Sequence, residues 1–172
     1  MELTKDVILH GTAWTKAADN LSCIFKTRPH YMLFMLSISI GIMYDKRLEK
    51  LEENGEDPKS ISRNIFVNND NGKLDFMFQA AILSTTTQEL SEEERLDLAF
   101  GEKSEFNKIG FLIEFANFGI TKLVELIADT PLETMENIKN FLVSTVEGRN
   151  LDVDGLPDDY LLLSEDLQMK PH

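Results

Sequence analysis

The stretch FKTRPHYMLFMLSISIGIMYDKR, residues 25–47, decides the fold. Its sixteen residues from Pro29 to Tyr44 hold no Asp, Glu, Lys or Arg, while basic residues stand at both ends. A bilayer requires roughly 20 apolar residues in a row, and Ser37, Ser39 and Gly41 interrupt this shorter run. The stretch therefore reads as a buried helix in a water-soluble core. Pro29 suits the first turn of that helix, where a missing N–H costs nothing. Tyr31, Phe34, Met35, Ile38 and Ile42 carry it onward to Leu48 and Leu51. Apolar residues surround the first half, which is central; the second half, DKRLEKLEE, is amphipathic and wet.

Working outward, residues 15–24 are expected to form a short first helix ending near Lys26–Thr27–Arg28. NGEDPKS reads as a loop, and residues 61–67 are ambiguous. NNDNG, residues 68–72, is the strongest turn signal in the chain. After it, Leu74, Phe78, Ala81 and Ile82 fall at helical spacing, and a helix is favoured. A minor β-hairpin through Asn71–Gly72, over residues 65–78, is the alternative. Ser91 and Glu94 make a capping box that starts a helix carrying Leu96, Leu98, Ala99 and Phe100. FLIEFANFGITKLVELI is the second apolar centre, with Gly119 expected to end or kink its helix. Thr130, Pro131 and Glu133 start the last helix, which places Leu132, Met135, Ile138, Leu142 and Val146 on one face and stops at Gly148. The expectation is an all-α (mainly α) chain: a single compact helical domain over residues 1–149, then an acidic tail, residues 150–172, as a docking strap or flexible end.

At 172 residues the chain can bury a sizeable core without disulfide or metal support. Its one cysteine, Cys23, excludes an intramolecular disulfide and fits a reducing compartment; its apolar setting, LSCIF, predicts a buried, inert thiol. The first residues show no secretory pattern, so the expected location is cytoplasmic, with no membrane contact. The net charge of −13 is uneven: residues 1–50 hold seven basic and five acidic side chains, residues 51–150 nine and nineteen, residues 151–172 one and six. Such a chain repels phosphate overall, although a basic face near the N-terminus is allowed.

No phosphate loop, dinucleotide fingerprint or HExxH pattern occurs, and His10, His30 and His172 stand far from other metal ligands in sequence. No catalytic residue, metal site or cofactor is expected. Asp57–Pro58–Lys59 mimics part of a nuclease motif, but those side chains belong on strands and the central proline opposes a ladder. Asn150, Asp152, Asp154, Gly155 and Asp158 match positions 1, 3, 5, 6 and 9 of a calcium loop; Leu161 replaces the bidentate carboxylate and Pro157 intrudes, so an acidic turn is the reading kept.

Lys26, Arg28 and His30 before the long helix, and Lys46 and Arg47 after its apolar half, are the candidate nucleic-acid contacts. About 18 residues, or ~27 Å of helix, separate the two groups, so they do not form one patch. Basic residues that mark helix ends and complement the acidic remainder are the plainer explanation. Phe111, Phe115, Asn117 and Phe118 are the candidate protein interface, because FLIEFANF has more aromatic residues than one helix stripe needs.

FKTRPHYMLFMLSISIG, NIFVNN, LDFMFQAAILSTTTQELSEEERLDLAF and FLIEFANFGITKLVELI follow in that order. The series resembles the small proteins associated with the bacterial Dnd system, which replaces a DNA phosphate oxygen by sulfur and restricts unmodified DNA. In that family an apolar helix is followed by an "EERL…F" segment and a "YANGG(L/I)" signature. Here the signature reads Phe115–Ala116–Asn117–Phe118–Gly119–Ile120, with Phe for Tyr and Phe for the first Gly. Ser37–Ile38–Ser39 stand where small alanines are usual, and no matching piece is a catalytic motif. The resemblance implies a non-catalytic, cytoplasmic accessory subunit in an anti-phage defence locus. It would bind larger nuclease, helicase or ATPase subunits, or further copies of itself, with DNA contacted indirectly if at all. Two other classes stand beside this expectation: a direct DNA-binding module using Lys26, Arg28 and Lys46, and an acidic DNA mimic that inhibits a DNA-binding protein.

Overall fold

The computed structural model describes residues 3–85, 90–101 and 106–148, the last three of these by backbone alone. The described residues form β1 (Val7–Leu9), α1 (Thr12–Leu21), α2 (Pro29–Tyr44), β2 (Lys59–Ile61), α3 (Arg63–Asn69), α4 (Lys73–Ser84), α5 (Glu92–Phe100), α6 (Lys108–Glu125) and α7 (Pro131–Gly148). The fold is mainly α. Packing groups residues up to Ile138 into one unit and those from Lys139 into another, and the description below concerns the first.

The quoted stretch folds as the central helix, α2, with Pro29 in its first turn. Tyr31, Leu33, Phe34, Met35, Ile38 and Ile40 are all buried. The helix ends sooner than its sequence pattern suggests. Asp45 adopts a left-handed conformation (φ 49°) and its N–H bonds back to the Ile42 carbonyl at 3.0 Å, while Lys46 N–H reaches the Gly41 carbonyl at 3.1 Å. DKRLEKLEE is therefore irregular rather than helical. Tertiary bonds hold it instead: Leu48 N–H donates to the Glu114 carbonyl at 2.9 Å.

α2 packs chiefly on α6, and two glycines set how close they come. A Cβ on Gly41 would lie 2.9 Å from Phe115 Cα and closer still to its carbonyl; one on Gly119 would lie 2.8 Å from Ser37 Cα and against that carbonyl. The contacts run in opposite sequence order, 37 and 41 against 119 and 115, so the helices are antiparallel. Gly119 thus does not end its helix, and α6 continues through it to Glu125. Its glycine is required by a neighbouring backbone, not by a turn. Around this crossing Trp14, Phe34, Ile38, Phe78, Leu112 and Phe115 are fully buried.

NNDNG ends α3 at Asn69 and turns through residues 70–72 into α4, and no hairpin forms over residues 65–78. Asn71 and Gly72 take positive φ (52° and 78°). Asp70 then caps α4, its Oδ2 accepting from Leu74 N–H at 2.9 Å, while its Oδ1 accepts from the buried Tyr31 hydroxyl at 2.8 Å. Leu74, Phe78, Ala81 and Ile82 face the core, as the spacing predicts. The strands lie elsewhere: β1 and β2 pair antiparallel, Val7 opposite Ile61 and Leu9 opposite Lys59. β2 begins directly after Pro58, in the segment that reads as a loop.

Ser91 and Glu94 form the expected capping box, and Thr130 and Glu133 exchange the corresponding bonds at the start of α7. Of the predicted stripe of α7, Ile138 is buried, but the stripe is not buried throughout. Thr134 and Ile138 are buried, whereas Leu132 and Met135 are exposed. α1 starts and ends three residues earlier than expected, which leaves Cys23 exposed in the turn that follows. No helix among the described residues is long and apolar enough to cross a membrane. The acidic tail and its calcium-loop pattern lie outside the described residues.

Candidate functional site

The basic candidates flank α2 at opposite ends, about 24 Å apart for a helix of this length. Lys26 is exposed. Arg28 sits at the N-cap of α2 in a left-handed conformation (φ 53°), and its Nη2 donates to Asn69 Oδ1 at 2.8 Å. His30 Nδ1 lies 3.0 Å from the Ser60 carbonyl, so that nitrogen carries the proton. At the other end Lys46 Nζ lies 5.8 Å from the centre of the Phe118 ring. Arg47 pairs with Glu114 at 3.0 Å and stacks over Phe111 at 5.0 Å and Phe115 at 5.8 Å. Arg28, His30 and Arg47 thus join elements of the fold, and the five residues form no single patch.

The proposed interface residues on α6 are interior. Phe115 is 0% exposed, Phe111 4%, Asn117 5% and Phe118 9%. Phe111 and Phe115 meet edge to face at 5.1 Å, and Phe78 meets Phe111 at 6.0 Å. Asn117 Oδ1 accepts from the Trp14 indole at 3.0 Å, and its Nδ2 donates to the Leu48 carbonyl at 3.1 Å. One amide therefore ties α1 and the irregular segment to α6. These residues correct the expectation of a partner-facing surface: aromatic density on α6 serves the core.

Exposed apolar residues occur on several helices, Val67 on α3 and Leu132 on α7 among them, and α4 and α5 together carry four. α4 is apolar on both sides: Leu74, Phe78, Ala81 and Ile82 face inward, while Phe76 (66% exposed), Ala80 and Leu83 (42%) lie on the opposite side. At about 100° per residue these three fall within an arc of about 60°. On α5, Leu96 (47%) and Phe100 (59%) stand one turn apart on the outer side. Leu83, Leu90 and Leu96 line one shallow groove of about 390 Å³ with Glu92 and Arg95. Glu92, Glu93 and Asp97 are exposed on α5.

No family model, curated protein or solved structure matches this chain. The site is therefore read from its own geometry.

A second cleft, about 330 Å³, is lined by Ile8, His10, Glu49, Lys50, Leu51, Glu53, Ile113 and Asn117, a lining without hydroxyl or thiol side chains. His10 Nδ1 and Glu53 Oε1 are 4.0 Å apart there, and both side chains are well exposed. Among the described residues no three His, Cys, Asp or Glu side chains gather to hold a metal. Burial, then the bond to Asp70 and its charge, push the Tyr31 phenol above its ordinary range, which keeps it protonated as the donor to Asp70. Next to the exposed apolar face, bonds from the Ser91 hydroxyl and backbone N–H hold Glu94 below the usual carboxylate range. Glu94 therefore stays ionised at neutral pH.

The outer face of α4 was missed by sequence reading, although its pattern carries a signal. A surface helix should show one apolar stripe, and a helix apolar all round should be covered. KLDFMFQAAILS fits the second description.

Proposed function

We propose that this chain is a non-catalytic accessory subunit that works by protein–protein binding. The observation that supports this is the outward apolar face of α4 and α5, with Phe76, Leu83, Leu96 and Phe100 exposed on two adjoining helices. Single exposed apolar residues are ordinary, but Leu83, Leu90 and Leu96 line one groove between the two helices, and a grouped apolar surface of this kind supports an interaction role. The setting, a cytoplasmic anti-phage system of the DNA modification and restriction type, is proposed from the resemblance of residues 25–127 to Dnd-associated proteins. The partner is then a larger nuclease, helicase or ATPase subunit. The test is a tagged pulldown from a host expressing the neighbouring genes, with and without nuclease treatment. Stoichiometric recovery of such a subunit, unaffected by nuclease, is the expected result. Recovery of nucleic acid alone would replace this function with direct DNA binding through Lys26 and Arg28.

A further inference from the structure

We infer that the outer face of α4 and α5 receives a basic amphipathic helix from the partner protein. The inference rests on the protein-binding reading above and adds the chemistry of what binds. Leu83 on α4, with Leu90 and Leu96, supplies the apolar floor of the groove, and Phe76 and Phe100 are exposed on the same two helices. Glu92 lines the groove with Arg95, and Glu93 and Asp97 are exposed on α5, so these three carboxylates stand against one guanidinium on this helix. A groove between two helices accepts an amphipathic helix through side chains at i, i+3, i+4 and i+7, and needs no free strand edge. Lysine or arginine on the flanks of such a helix would meet those carboxylates, raising the rate of encounter and fixing orientation.

Charge decides against a second copy as the occupant. A two-fold contact presents the same patch on both sides, so each acidic α5 would have to dock on a surface with the same excess of carboxylates. With a chain charge of −13, copies also repel at long range.

The probe is a fluorescein-labelled 18-residue leucine–lysine peptide with leucines at helical spacing, titrated with the full chain and read by anisotropy. The control is the same peptide with glutamate in place of lysine. The lysine peptide should bind, and the glutamate peptide should bind at least tenfold more weakly. Phe76→Gln and Leu96→Gln should each raise the Kd about tenfold. The triple change Glu92→Gln, Glu93→Gln, Asp97→Asn should raise it severalfold and flatten its salt dependence. Leu132→Gln, at an exposed apolar residue on α7, should leave it unchanged. Equal binding of the two peptides, or equal loss in Leu132→Gln, would overturn the inference. The same variants in the pulldown separate the two levels. A partner lost with Phe76→Gln but kept with the triple change would preserve protein binding at this face and overturn the basic helix. A partner kept with Phe76→Gln would remove the face altogether.

Discussion

α2 and α4 are both apolar around most of their circumference, yet the chain covers only one of them. α2 lies against α6 so closely that Gly41 and Gly119 each meet a carbonyl of the other helix, and its side chains are buried on nearly every side. α4 buries Leu74, Phe78, Ala81 and Ile82 and leaves Phe76 and Leu83 to solvent. The first helix spends its apolar residues on the stability of the fold. The second divides them, and its outer half adds little to the folded state of the free chain. The difference separates two uses of hydrophobic surface that look alike in sequence.

That contrast can be broken or sharpened by substitution. Phe115→Ala, at the centre of the α2–α6 contact, should cost about 4 kcal/mol, the usual range for emptying a fully buried aromatic site. Urea unfolding would read the loss. Gly119→Ala adds one methyl against the Ser37 carbonyl and should cost about 3 kcal/mol, near the upper end for overpacking; at this chain length that lowers Tm by about 9 °C. A wild-type Tm in Gly119→Ala would mean that the helices are not in backbone contact. Asn117→Ala strands the Trp14 N–H and the Leu48 carbonyl and should cost about 2 kcal/mol. Hydrogen exchange should show residues 46–52 losing protection before α2 does.

A smaller effect is expected on the α4–α5 side. The folded Glu94 carboxyl is held below its ordinary value by Ser91. Its contribution is fully present above the ordinary glutamate range, about pH 4, and is lost as pH falls through the folded value. Ser91→Ala should therefore lower the urea midpoint at pH 7 slightly and narrow the gap between pH 7 and pH 3. An unchanged gap would mean that the capping box does not form in solution.

Local signals carried much of the fold. Pro29 with a charge-free run located α2, and the Ser91–Glu94 and Thr130–Glu133 boxes placed two helix starts to the residue. What failed depended on distant partners. β1 and β2 are three residues each and pair across about fifty positions, so neither carries periodicity of its own. DKRLEKLEE has helical charge spacing, but Asp45 closes the helix and α6 captures Leu48. Gly119 looked like a helix end because a close approach and a turn both select glycine. The interface was sought in FLIEFANF because its aromatics are dense. Density shows that a residue can be buried, but only the packing shows which face stays open.

The most direct measurement is the unfolding free energy of Phe76→Ala in the free chain, set beside Phe115→Ala. The predicted result is a change within about 0.5 kcal/mol for Phe76→Ala, as for other surface positions, against about 4 kcal/mol for Phe115→Ala. A loss of about 3 kcal/mol or more in Phe76→Ala would show that the outer face of α4 is already covered in the free protein. The contrast between the two helices, and the docking surface with it, would then be contradicted.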